Sequence, residues 1–434
     1  MRILMASLLA LATASPAVAE PLNEAMLSAV QTNPVLAAQK ARLNATREAL
    51  PQAWSEALPQ ISLSAGASNS DTDHTAPLAD PPASRDWSAT ANGSQLLFAS
   101  GRIIATTRAA RAEIRGAVAD YNEALQDLLL NVTTAYADML QSQAVVQAQQ
   151  TTVDNLTTLA RYAQAQFDAG VVTRTDVAQA QARLAQARTL LVQSQGAMVA
   201  AVQAYIRLVG HPPADLSSPP DAASLPADLQ TALDAAGRGS FVLASALAAV
   251  DQAHANVQVA ASAGRPTVSL QASHSVSGEW GHNASDTQPT DDSVGLRLSW
   301  PLFQGGMVRS RIRQSDALAT ASNYDLVAAQ RSVQESVTNS WTALASARSS
   351  VDSAQQQLTA AELAYQGIRL EQETGLRSTI DVLNQEQDLL TARLALAQAQ
   401  RDLIVAERAM LASMGQLQVP NDEHAPRDHL RGRQ

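Results

Sequence analysis

The chain has 434 residues, 46% of them hydrophobic but only 3% aromatic, with a formal net charge of −10 and no cysteine. So few aromatics argue for long packed helices rather than large mixed cores, and the acidic balance, with no basic stripe interleaved with aromatics, excludes nucleic acid. Without cysteine there is no disulfide, no thiolate zinc site and no lipid-modified N-terminal cysteine.

Residues 1–19, MRILMASLLALATASPAVA, read as a secretory signal. Arg2 is the charged start, Ile3 to Ala14 the apolar core, and Ala17-Val18-Ala19 the small-residue cleavage site, so the mature chain is expected to begin at Glu20. No later segment offers the roughly 18 uninterrupted apolar residues of a spanning helix. Phe241 to Ala263 comes closest and is interrupted by Asp251 and His254. If the chain spans a membrane, it does so with strands.

The rest divides into two copies of one pattern: residues 20–210, then a Pro-rich irregular linker 211–226, then residues 227–415. A polar tail, 416–434, reads as poorly ordered. Leu22 and Leu229 open matching helical patterns 207 residues apart, as Pro59 and Pro266 open matching strands. LLFASGR at 96–102 matches PLFQGGM at 301–307, placing Phe98 on Phe303 and Gly101 on Gly306 at an offset of 205. Gly305-Gly306 superficially suits phosphate binding, but no lysine motif follows, and a strand-to-helix turn needs glycine anyway.

In the first copy a helix is expected from about Leu22 to Leu58, then a strand over Gln60–Ser70 and its partner over about Trp87–Phe98. Ile61, Leu63 and Ala65 alternate with Ser62, Ser64 and Gly66. In the second copy Val268, Leu270 and Ala272 alternate with Ser269, Gln271 and Ser273, and Val294, Leu296, Leu298 and Trp300 with Gly295, Arg297 and Ser299. That period suits strands with one greasy and one wet face. The loops Asp71 to Asp86 and Glu279 to Asp292 are polar and acidic. Four strands are too few for a soluble two-sided core and too few to close a membrane barrel, which starts at about eight strands. The barrel must then be shared: about eight strands in a dimer, twelve in a trimer.

From Arg102 to Asp168 there is no proline and only Gly116, which predicts about 100 Å of helix. Val177, Leu184, Leu191, Met198 and Tyr205 recur every seven residues. Two such rows run side by side in the second copy: Val382, Leu389, Leu396, Leu403, Met410 and Leu383, Leu390, Ala397, Ile404, Leu411. Seven-residue spacing predicts helices that supercoil around neighbours.

Between the long helices lie two matched breaks, FDAGVVTRTDVAQAQARL and QETGLRSTIDVLNQEQDLL. Gly170 corresponds to Gly375 and Asp176 to Asp381, again 205 residues apart. Glycine supplies the turn, and Thr175 or Thr379, followed by the aspartate, is expected to cap the next helix. Each break is the tip of a helical hairpin with charges at its point. In a symmetric oligomer every tip residue recurs, so crowded aspartates at a narrow mouth repel one another and attract cations.

No catalytic set emerges. His74, His211, His254, His274, His282, His424 and His429 are scattered without metal-ligand spacing. No enzyme activity, cofactor or metal is expected.

The two tips, the WPLFQGG turn, the NPVLAAQ and LPQISL segments and the duplicated order together resemble the TolC family of bacterial outer membrane channels, over nearly the whole mature chain. The resemblance implies a mainly α fold with a small β part. A tandem-duplicated protomer of long coiled-coil helices and four strands would form a homotrimer. Its 12-stranded β-barrel would lie in outer membrane lipid, continuous with an α-helical periplasmic tunnel, and dock on a periplasmic adaptor and an inner-membrane transporter or ABC ATPase. It also implies an entrance gate at the tips. Arg377 falls on a latch arginine, Asp381 on a pore-facing aspartate and Asp176 on the first-copy latch partner. Gln372 replaces a latch tyrosine and Asn384 a second acidic position, implying a weaker closed state and a less negative ring. Arg174 adds a cation within reach of Asp176 or a neighbouring subunit. The wording of the tips leans to type I protein secretion. An efflux duct for toxic compounds is the alternative; a passive porin does not need such helices, and a structural periplasmic coiled coil leaves the strands unexplained.

Overall fold

The computed structural model describes residues 20–71, 84–222, 224–280 and 288–418. The signal segment, the tail from residue 419, and loop segments 72–83 and 281–287 lie outside the described residues, and His74, His282, His424 and His429 with them.

Three helices replace the single one expected over Leu22 to Leu58: α1 (Leu22–Thr32), α2 (Pro34–Arg47) and α3 (Ala49–Ser55). Proline disfavours helical geometry in the residue before it, and Asn33 is accordingly extended, with ψ of 120°. Its side chain then starts α2, accepting from the N–H groups of Val35 and Leu36 at 2.9 and 3.3 Å. The break at Glu48 falls three residues before Pro51, which has no N–H to give back to the turn before it.

The strands β1 (Gln60–Ser70), β2 (Ser84–Phe98), β3 (Thr267–Glu279) and β4 (Thr290–Ser299) form one antiparallel sheet in the order β1-β2-β3-β4. The register aligns Ile61, Gly93, Ala272 and Val294 in one row, and Ser62, Asn92, Ser273 and Ser293 in the next. The alternation therefore sorts into an apolar face and a hydroxyl-rich face. The apolar face is uncovered: Ile61 is 84% exposed and Val294 78%. One row breaks its character. Leu63 and Ala91 share it with His274 and Asp292, whose Nδ1 and Oδ1 lie 2.5 Å apart.

The chain then enters α4 (Arg102–Asp168) and α5 (Arg174–Val209). After the linker come α6 (Leu229–Gly239) and α7 (Phe241–Ser262), and after the second strand pair α8 (Met307–Glu373) and α9 (Thr379–Ser413). α4 has the bounds that its proline-free run predicts, and α4 and α8 each have 67 residues. No single helix among the described residues is long and apolar enough to cross a membrane. Ser240, between α6 and α7, sits where Asn33 sits between α1 and α2, 207 residues earlier; both are buried.

The chain forms two compact units, and each draws on both repeats. One takes Gln39–Tyr121 and Phe241–Ser332, and so holds the sheet. Its strand-to-helix turns have positive φ at Ser100, Gly101, Gly305 and Gly306. Ser100, the non-glycine, secures its place by donating to Pro266 O at 2.6 Å. Phe98 and Phe303 beside these turns are exposed.

The other unit holds α1, α5, α6, α9 and the remainder of the long helices. Of its heptad positions, Val177, Tyr205, Val382, Leu389 and Met410 are buried, as are Leu383, Leu390, Ala397 and Leu411, whereas Leu184, Leu191, Met198, Leu396, Leu403 and Ile404 are half-buried. Two polar staples fix the linker to it. Glu20 is 5% exposed; its carboxylate accepts from Tyr205 Oη at 2.7 Å and from Ala214 N at 3.2 Å. On α9, Arg408 donates to Glu407 and to Pro220 O, both at 2.5 Å, and Glu407 accepts from Ala222 N at 2.9 Å.

Candidate functional site

The two hairpin tips are built alike. At the end of α4, Gly170 has φ of 77° and its N–H donates to Phe167 O, while Val171 N–H reaches back to Gln166 O, both at 2.8 Å. At the end of α8, Gly375 (φ 82°) bonds to Gln372 O at 3.0 Å and Leu376 to Glu371 O at 2.8 Å. This double closure satisfies the helix's last carbonyls and needs a residue at ease in the left-handed region. Three residues after each glycine the next helix is capped, by Thr173 and by Ser378. The expected caps, Thr175 and Thr379, instead lie inside α5 and α9. The pattern that marks the true caps is Ser or Thr followed three residues later by an acid.

Those acids are Asp176 and Asp381. Asp176 accepts from Thr173 N and Oγ1 at 2.9 and 2.7 Å. Asp381 accepts from Ser378 N and Oγ at 3.1 and 2.7 Å. The hydroxyl bond first, and the backbone N–H second, hold both carboxyls below the usual carboxylate range; Arg377 adds to this at Asp381. A depressed folded pKa means that the caps contribute fully at neutral pH and are lost only as pH falls through the folded value. The tips therefore keep their negative charge through the physiological range.

Arg377 Nε donates to Glu371 Oε2 at 2.9 Å across the turn. That bond and the charge of Glu371 raise its pKa further. Arg174, one residue after the Thr173 cap, is exposed and makes no ion pair with another described residue. Asn384 is exposed on the first turns of α9, whereas Gln372 is only 6% exposed and its Nε2 has no partner among the described residues. Val171 and Leu376, again 205 residues apart, are the residues after the two glycines, and they are 69% and 76% exposed. The charged residues at the points were legible in the sequence; the matched aliphatic pair beside them was missed, although the repeat offset marks it.

Among the described residues no group of three or more His, Asp or Glu is placed to hold a metal ion.

A family model described as outer membrane efflux protein matches residues 26–211 and 232–416. The chain is 28% identical to the outer membrane efflux protein BepC of Brucella suis, over 96% of this chain and 91% of that protein. It is 29% identical to the alkaline protease secretion protein AprF of Pseudomonas aeruginosa, over 65% of this chain and 60% of that one. Its fold superposes on the outer-membrane channel OprN with a TM-score of 0.78 at 24% identity, covering 91% and 90% of the two chains. With two family matches that together span most of its length, the chain belongs to the outer membrane efflux protein family.

Proposed function

We propose that three copies of this chain form the exit duct of a tripartite export system, lodged in the outer membrane and docked through its hairpin tips on a periplasmic adaptor that links it to an inner-membrane pump. The observation that carries this is the four-stranded sheet with an exposed apolar face, whose edge strands β1 and β4 each have one unpaired side among the described residues. Exposed edges and a greasy face are liabilities in water. Both disappear when three sheets close into one barrel of about twelve strands with the apolar face in lipid. From Val268 to Gly278 the apolar positions of β3 span ~34 Å along the strand, or ~25 Å once tilted, which is the height of a barrel's lipid-facing band.

His274 and Asp292 fall near the middle of that band. Ionisable groups facing lipid at mid-depth cost free energy. Replacing both with leucine is expected to stabilise the assembled barrel by on the order of 1 kcal/mol, read as a higher temperature of subunit dissociation on denaturing gels; a lower one would remove this row from the lipid face.

At the entrance, three Asp381 carboxylates form a cation-attracting ring, with Asp176 and the unpaired Arg174 beside it. Arg377 helps to hold the mouth shut. The latch is weaker than a tyrosine-based one, because Gln372 is buried with a donor that finds no partner among the described residues. Arg377→Ser is expected to raise single-channel conductance severalfold. Asp381→Asn, which keeps an acceptor for the cap, is expected to abolish block by divalent cations. Unchanged values in planar bilayers would count against each role.

For cargo, the tip wording and the likeness to AprF, named for alkaline protease secretion, support polypeptide export. The longer match to BepC, named as an efflux protein, supports a second reading, expulsion of small toxic compounds. A deletion strain separates them. Loss of large proteins from the medium supports the first, new sensitivity to toxic compounds with intact secretion supports the second, and a strain altered in neither sinks both.

A further inference from the structure

About one-fifth of the way along α9 from its tip, four helices bury a polar layer where heptad packing calls for aliphatic side chains. Glu386 is 1% exposed. Asn155 Nδ2 of α4 donates to both of its carboxylate oxygens at 3.1 Å. Tyr365 of α8 also bonds to it; burial first, then the charge of Glu386 and that bond, push the phenol's pKa up. On α4 the layer continues toward Arg102 in steps of three, through Thr152 and Gln149, which are 3% and 5% exposed. Thr152 Oγ1 and Gln149 Oε1 have no hydrogen-bond partner among the described residues. Thr152 and Glu386 line one small cavity of about 10 Å³, together with Arg183, Gln186, Gln387 and five apolar residues. That is room for about one water molecule, and unpaired buried polar atoms are where such a water is held.

The layer is flanked by aliphatic packing. Val153, Leu156, Leu159, Val177, Val382 and Leu383 belong to one buried cluster. A fully apolar layer here is expected to be at least as stable, because replacing a buried hydrogen-bonded charge by packed aliphatics of similar volume is often neutral or stabilising. A half-satisfied polar layer is a weak one, and it is easily broken when water reaches it.

We propose that the Glu386–Asn155–Tyr365 layer, completed by one water at Thr152, is a built-in weak seam at which the hairpins re-pack when the entrance opens. In the packed state Glu386, Asn155 and Tyr365 satisfy one another while Gln149 Oε1 goes without a partner among the described residues; as the helices slide apart, water takes over each bond at little cost. An aliphatic layer has no such substitute and would hold the helices in the packed state. The inference rests on the duct reading and gives that duct a hinge about two helical turns behind the tips.

The test is the full-length triple variant Asn155→Leu/Glu386→Leu/Tyr365→Phe, which leaves no orphaned phenol, with Glu386→Gln as a conservative control. It is compared with the parent by thermal melting and by single-channel recording. The expected result is a melting temperature equal to or above the parent's, with openings reduced on the order of tenfold, since ~1.4 kcal/mol added to the packed state is a factor of ten. Glu386→Gln should open nearly as the parent does. A lower melting temperature with unchanged openings would show the layer to be structural support and overturn the proposal. A variant that fails to assemble would overturn it too, since the layer would then be needed for folding. A parent that conducts alongside an equally conducting variant overturns the seam alone, whereas a parent that never conducts overturns the duct reading and the seam with it.

Discussion

Replacing Arg408 with methionine is expected to destabilise the helical unit by about 3–5 kcal/mol, the cost of leaving a buried charge without its partner. Arg408 and Glu407 are 7% and 3% exposed. Burial lowers the guanidinium's pKa, against the raising influence of Glu407 and Asp221. Removing the cation leaves the Glu407 carboxylate with only the Ala222 N–H of the described bonds and frees Pro220 O. The linker would then be held to Glu407 of α9 by that one bond. Removing both charges, with Arg408→Met and Glu407→Leu together, should recover much of the loss, because the uncompensated charge goes as well. Thermal melting of the four proteins of this cycle checks it; a single variant no worse than the double would deny the pair its role.

The second large effect is steric. A Cβ on Gly415 would stand 2.2 Å from Gly239 O, and Gly415 itself has φ of 69°. Conversely, a Cβ on Gly239 would stand 2.6 Å from Met414 O. Backbone meets backbone here, so no side chain can turn aside. Gly415→Val combines the clash with left-handed strain in a β-branched residue and is expected to cost more than ~3 kcal/mol, with loss of assembled protein from the outer membrane. Gly237→Ala, where nothing lies within 4 Å, is the control and should be nearly silent. Equal levels of the two variants would contradict the close approach.

Much of this architecture is legible in the sequence because it is periodic. The alternation of Ile61 and Leu63 with Ser62 and Ser64 placed β1 at its observed bounds, and the proline-free run from Arg102 to Asp168 placed α4 likewise. The seven-residue rows named the inward face of α9 and the two ends of that of α5, whose middle positions Leu184, Leu191 and Met198 are half-buried. What escaped depends on partners far away in the chain. Glu386 meets Asn155 across 231 residues and Glu407 meets Ala222 across 185; nothing near either glutamate announces its burial. The break at Asn33 was readable in the proline that follows it, but was overridden by the helical spacing around it. At the tips, residue types indicated a cap and left its position two residues or one residue too late, since threonine and serine occur at several adjacent sites.

The central claim is that β1 of one protomer meets β4 of the next, three times around. The chain has no cysteine, so engineered cysteines report on this without background. A small panel pairing Ile61, Leu63 or Ala65 with Val294, Leu296 or Leu298, each residue changed to cysteine, would be oxidised in intact outer membranes and run on non-reducing gels. At least one pair should give a ladder that stops at the trimer and collapses on reduction. Monomers throughout, or a ladder that ends at the dimer or continues past the trimer, would contradict the shared barrel.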